Sequence, residues 1–184
     1  MEGQLWPIER QTLKDLVLKN KPKVTLEIGT WKGGGSTYQI ATALHELGEG
    51  HLYTCEPDTS LFTIANALYS EEQQHLPVTC LNSYSNEVIS AMLQRKEIPD
   101  FVLMDGPEDP DVCLDDLIQL EPNMKTGSIV AFHDWEIGVR LDGLVSTKSH
   151  KVRPYIEQSK LWQEVLVLSQ DSYRTVGFAA YKRN

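Results

Sequence analysis

Six side chains in this sequence sit where they could do chemistry: Glu27, Glu56, Asp105, Glu108, His133 and Asp134. Glu27 lies in the apolar run Val24-Thr25-Leu26-Glu27-Ile28, which enters the turn Gly29-Thr30-Trp31-Lys32-Gly33-Gly34-Gly35 just ahead of Ser36. Gly29 lets the chain reverse without a Cβ clash. Gly33, Gly34 and Gly35 let backbone come close to a ligand, while a helix starting at Ser36 points unpaired N–H groups at it. A carboxylate beside such a turn repels a pyrophosphate but accepts hydrogen bonds from an ammonium or a hydroxyl group. Glu56 follows the next apolar run, where a carboxylate can take both hydroxyls of a ribose in paired hydrogen bonds.

The elements that must position these groups alternate strictly. Leu13, Leu16 and Val17 fall at helical spacing and predict a helix over residues 8–18. A strand then runs from Val24 and ends at Glu27, followed by a helix over 36–47 and a strand over 51–55. Asp58 caps a helix through Leu68, and a strand over 76–81, a helix over 85–95 and a strand over 101–104 follow. Pro110 opens a helix to about Leu120, Gly127 to Phe132 reads as a strand, and residues 152–159 as a last helix. Residues 162–168 and 176–181 have no room for a helix between them, which predicts an antiparallel hairpin. Such alternation gives an α/β fold, one doubly wound, mostly parallel sheet, with the chemistry beyond the carboxyl ends of its strands. Each of the first five strands ends in a polar group suited to that crevice: Glu27, Glu56, Asn82 with Ser83, Asp105, and His133 with Asp134.

The run from Val24 to Ser36 resembles motif I of the class I S-adenosylmethionine (SAM) dependent methyltransferases. That resemblance covers nearly the whole chain from Val24 onward and implies a Rossmann-like, seven-stranded sheet of order 3-2-1-4-5-7-6 with an antiparallel last strand; 184 residues are enough for one core and too few for two, so a single domain over 1–184 is expected, with 1–20 as its N-terminal helix. The resemblance also implies that Glu27, Gly29, Thr30, Gly33, Glu56, Asn82, Ser83 and Asp105 bind the cofactor. Phe101-Val102-Leu103-Met104-Asp105-Gly106 and Gly127-Ser128-Ile129-Val130-Ala131-Phe132-His133-Asp134 resemble the small O-methyltransferases related to the catechol type. In that subgroup the matching positions supply catalytic groups and metal ligands, which here are Asp105, His133 and Asp134. The implied ion is Mg²⁺ or Mn²⁺, which lowers the pKa of a substrate hydroxyl. Glu108 stands where that subgroup often carries a lysine or histidine, so the alternative is His133 or Glu108 as a metal-free base. Asp116 also matches a helix aspartate of the subgroup, though solvation or a structural hydrogen bond is the expectation for it.

Residues 136–150 form the longest segment without a pattern and are expected to act as a lid, with Arg140 available to an acidic acceptor. The net charge of -9 disfavours nucleic acid and anionic membranes as partners and favours a small-molecule acceptor. Cys55, Cys80 and Cys113 suggest neither a disulfide framework nor a zinc site. No leader or membrane span is read, so the cytoplasm is the expected compartment. The apolar first helix or the edge of the C-terminal hairpin could support a homodimer. Two rival functions stand beside methyl transfer: a SAM-fold protein that binds without turnover, and a nicotinamide-dependent oxidoreductase. The second is disfavoured because the glycines do not follow Gly-x-Gly-x-x-Gly and no second domain is evident.

Overall fold

A computed structural model describes residues 5–106, 108–136, 138–139, 145–168 and 177–184. The chain opens with α1 (Pro7–Asn20), β1 (Val24–Ile28), α2 (Ser36–Leu47) and β2 (His51–Cys55). Next come α3 (Thr59–Ala67), extended by a π-turn over Leu68–Glu72, then β3 (Val78–Leu81), α4 (Ser85–Gln94), β4 (Phe101–Met104), α5 (Pro110–Leu120) and β5 (Ile129–His133). Two short strands follow, β6 (Gly138–Val139) and β7 (Val145–Ser146), before α6 (Ser149–Gln158), β8 (Trp162–Leu168) and β9 (Phe178–Arg183).

The large sheet has seven strands in the order β3-β2-β1-β4-β5-β9-β8. Counted without the two-residue pair, this is the expected 3-2-1-4-5-7-6. β1 to β5 are parallel, and β9 lies antiparallel between β5 and β8. The central strands are buried on both faces, so their side chains alternate between two cores rather than between core and water. On β4, Phe101 and Leu103 join α1 and α2 through Leu13, Leu16, Ile40 and Leu44. Val102 and Met104 point the other way, to α4, α5 and α6 through Ile89, Met92, Leu117 and Ile156. Chain order reverses between β1 and β4, which opens a crevice at their carboxyl ends.

Two glycines set how closely the turns after β1 and β4 approach. A Cβ on Gly29, at φ +99°, would lie 2.7 Å from Gly106 Cα, and one on Gly106 would lie 2.7 Å from Ile28 Cγ2. The β1 turn is tied to its other neighbour too, since Gly29 N and Thr30 N both donate to Cys55 O at 3.1 and 3.2 Å.

Departures from the sequence reading have local causes. β3 starts at Val78 rather than Leu76 because Pro77 has no N–H for the ladder. α6 starts at Ser149, three residues early, and its N-cap Lys148 makes no side-chain cap hydrogen bond. Residues 136–150 are therefore not a plain loop: β6 and β7 pair antiparallel, and the end of the segment is helix. Arg140 lies outside the described residues, as does Val176, the predicted start of the last strand. Among the described residues, no helix is long and apolar enough to cross a membrane.

Candidate active site

The crevice at the switch point is a cavity of 380 Å³. Gly29, Thr30, Trp31, Gly35 and Ser36 line it from the glycine turn, Cys55 and Glu56 from the end of β2, Tyr84 and Ser85 from the start of α4, and Asp105, Gly106 and Glu108 from the end of β4.

Glu56 faces this cavity with both oxygens held by backbone. Trp31 N donates to Oε2 at 2.9 Å and Asp58 N to Oε1 at 3.1 Å. Each carboxylate oxygen keeps a further lone pair, so the group is a preset double acceptor. The turn geometry that puts Trp31 N there needs a left-handed residue, and Trp31 itself has φ +49°.

Glu27 occupies a different place from Glu56. It has no exposed surface and is not among the residues that line the cavity. Its Oε2 accepts from Thr37 Oγ1 and Thr54 Oγ1, both at 2.6 Å. Thr54 spends its proton on Glu27, so Thr30 Oγ1, 2.5 Å away, donates to Thr54. Through these hydroxyls Glu27 fixes Thr30 of the turn and the first residues of α2. Its Oε1 is buried without a hydrogen-bond partner. Burial pushes the carboxyl up to about 7, against the pull of the Ser36, Thr37 and Thr54 hydroxyls and with a push from the Asp105 charge. With Glu27 outside the cavity lining, this acceptor faces the protein interior rather than the ligand space.

The other expected cofactor residues divide. Gly29, Thr30 and Asp105 line the cavity; Gly33, Asn82 and Ser83 are not among its lining residues. Gly33, at φ +76°, is pressed on α3 and the π-turn: a Cβ there would lie 2.9 Å from Tyr69 Cε2, and Tyr69 OH donates to Gly33 O at 2.5 Å. Asn82 Nδ2 donates to Glu56 O at 2.9 Å and to Pro57 O at 3.2 Å, which ties the two strand-end turns together. Ser83 Oγ donates to Glu87 in the first turn of α4. Tyr84, 65% exposed, and Ser85 take the cavity position instead. Gly33→Ala is expected to cost about 2 kcal/mol, a fall in Tm of roughly 4–8 °C in thermal denaturation, with ligand affinity unchanged. Weakened ligand binding at full stability would return Gly33 to the binding site.

Asp105 is the link from the cavity to a buried ionic cluster. His133 Nδ1 lies 3.0 Å from Asp105 Oδ1 and 3.4 Å from Asp134 Oδ1, and its Nε2 lies 3.3 Å from Glu9 Oε2. Lys148 Nζ lies 3.0 Å from Asp134 Oδ2 and 3.4 Å from Asp105 Oδ1. Glu9, His133, Asp134 and Lys148 are at most 3% exposed. Burial opposes charge on His133, but Asp105, Asp134 and Glu9 override it and hold the imidazole well above its ordinary range. Burial likewise works against the Asp134 carboxylate, yet His133 and Lys148 bring its carboxyl down to about 2. Asp134 reaches this position from a left-handed backbone, φ +55°, which aspartate tolerates.

Neither Glu9 nor Lys148 was singled out from sequence. Glu9 is the third residue of a helix that opens on Pro7, and its Oε2 accepts from Trp6 N at 2.8 Å. That local signature marks a helix start, not a site. Lys148 carries no motif; it is delivered by the segment after β7, where Thr147 Oγ1 donates to Glu108 O at 3.1 Å.

The resemblance implies a divalent metal at Asp105, His133 and Asp134, whose ligand atoms lie within 4.8 Å of one another. The donor set does not fit one as arranged. His133 turns Nδ1 to Asp105, one of the other two ligands, and Nε2 to Glu9, so the obstacle is the position an ion would take between the carboxylates. A cation is already present between the two aspartates, the Lys148 ammonium. Cys55 also lines the cavity, but burial pushes its thiol up to about 12, which removes it as a nucleophile. Asp116, whose carboxyl burial pushes up to about 6 while Ser85 pulls it down, stays behind Ser85, outside the cavity lining.

A family described as a methyltransferase domain matches residues 26–135. No curated protein matches the chain. Solved structures share the fold. An O-methyltransferase from Bacillus cereus, crystallised in complex with S-adenosylhomocysteine (SAH), superposes with a TM-score of 0.76 at 18% identity, over 98% of this chain and 82% of its own. The O-methyltransferase TomG from Streptomyces achromogenes, in complex with SAM and involved in tomaymycin synthesis, gives 0.79 at 18% identity, over 98% and 81%. A methyltransferase from Geobacter sulfurreducens gives 0.71 at 12% identity, over 97% and 79%.

Proposed function

Because this chain belongs to the methyltransferase family whose domain matches residues 26–135, we propose that it transfers a methyl group from SAM to a hydroxyl oxygen of a small molecule. The observation that carries this reading is Glu56, a carboxylate facing the cavity with both oxygens oriented by backbone N–H groups and a lone pair on each to spare. A ribose presents two adjacent hydroxyls that match it. The start of α2, where Gly35 and Ser36 line the cavity, directs the helix N-terminus at the amino-acid carboxylate of the cofactor. Tyr84 offers an exposed ring face to the adenine.

The acceptor enters beside Asp105 and Glu108. Bound SAM would supply the methyl group, which would pass to the acceptor oxygen while the electron pair of the broken sulfur–carbon bond stays on sulfur as SAH. Glu108 lines the cavity next to Asp105 and Gly106 and is the group that takes the hydroxyl proton. His133 and Asp134 act through Asp105, holding its carboxylate in place. The net charge of -9 supports a small neutral or cationic acceptor over a polyanion.

Calorimetric titration with SAH tests the cofactor, with NAD as control. Binding of SAH near the micromolar range, about -8 kcal/mol, with no heat from NAD is the expected result. Binding of NAD alone would replace methyl transfer by hydride transfer, and silence from both nucleotides would leave a fold that binds neither.

A further inference from the structure

We propose that the Lys148 ammonium takes the place of a divalent cation between Asp105 and Asp134, so that the chain binds no Mg²⁺ or Mn²⁺ there, and that removing this one charge opens the site to a metal. A lysine side chain is 2% exposed only where carboxylates replace its water. Here Asp134 and Asp105 do so, at 3.0 and 3.4 Å.

The two aspartates and His133 come from the carboxyl ends of β4 and β5, and their ligand atoms stand within 4.8 Å of one another. The constellation is thus close enough to hold an ion, and what differs is the occupant. An incoming divalent ion would meet an ammonium at hydrogen-bond distance from the oxygens it must bind, with no room for the two cations to share them. Glu9 reinforces the exclusion from the opposite side. Its carboxylate faces His133 Nε2 at 3.3 Å and leaves Asp105 and Asp134 to Nδ1.

The fold holds Lys148 in place. It precedes the first turn of α6, and the hydroxyl of its neighbour Thr147 is bonded to the backbone of Glu108 in the turn after β4. The segment that carries Lys148 is therefore tied by a hydrogen bond to the cavity wall at Glu108.

Mn²⁺ added alone to the full chain, without cofactor or acceptor, gives the test, because the paramagnetic signal of the free ion falls as it binds. Metal binding is read independently of whether SAH binds or methyl transfer occurs. Wild-type protein is expected to leave the signal undiminished. Lys148→Ala and Lys148→Met, the second keeping most of the apolar stem in case the first fails to fold, should bind Mn²⁺ at least about 30-fold more tightly than wild type. Adding Asp134→Asn to either variant should abolish that gain. Tight binding by wild type that Asp134→Asn removes would overturn the proposal, whatever the folding of the lysine variants. So would a folded lysine variant that gains no affinity.

Discussion

Changing Glu56 to alanine is expected to weaken SAH binding about a hundredfold, the largest loss for any single side chain of the cavity. Two hydrogen bonds from ribose hydroxyls to a carboxylate are worth about 1.5 kcal/mol each, so their joint loss is about 3 kcal/mol, or two decades in Kd. The truncation also removes the acceptor that orients Trp31 N and Asp58 N, which loosens the glycine turn on one side and the start of α3 on the other. Glu56→Gln keeps the shape and one acceptor oxygen and should lose about tenfold. Isothermal calorimetry measures both. A change under about threefold for the alanine variant would mean that the ribose lies elsewhere, and the reading built on Glu56 would go with it.

Glu27→Gln is expected to flatten the pH dependence of stability by about 3 kcal/mol between pH 4.5 and 7. Burial without a partner for Oε1 raises the carboxyl of Glu27 from 4.5 to about 7 in the folded chain. The folded state then holds this proton more tightly than the unfolded state throughout that window. Its stabilising contribution is complete below pH 4.5, falls as pH rises, and is gone above 7. An amide has no such proton, so in the variant this slope disappears. The readout is the difference in slope between variant and wild type from urea denaturation at several pH values. The absolute stability of the variant also carries the cost of an unpartnered NH₂. Equal slopes in the two proteins would show that Glu27 is ionised in the folded chain down to its ordinary range.

The strand ends were legible because both features that define them are local. Apolar runs of four or five residues, broken by glycine, proline or a capping aspartate, fix each strand to within a residue or two, and the polar residue that follows must then face the crevice. Glu56 and Asp105 reach the cavity for that reason. Which strand-end neighbour turns inward was not local. Asn82 and Ser83 follow β3 as expected, but their side chains are taken by Glu56 O and Glu87, and Tyr84 is left to line the cavity. Gly33 looked like a ligand glycine because a sequence does not distinguish close approach to a cofactor from close approach to Tyr69.

By itself the sequence determined the alternating α/β order, the glycine turn, and the row of acidic and polar groups at the strand ends, since each depends on periodicity and turn chemistry within a few residues. Only the tertiary structure decided what balances those charges. Glu9 lies 124 positions from His133, and Lys148 lies 43 positions from Asp105. No short-range pattern records such pairs. They meet because α1 lies against α2 on one face of the sheet while the segment after β7 returns to the end of β4, and burial there leaves each charge stable only beside its opposite.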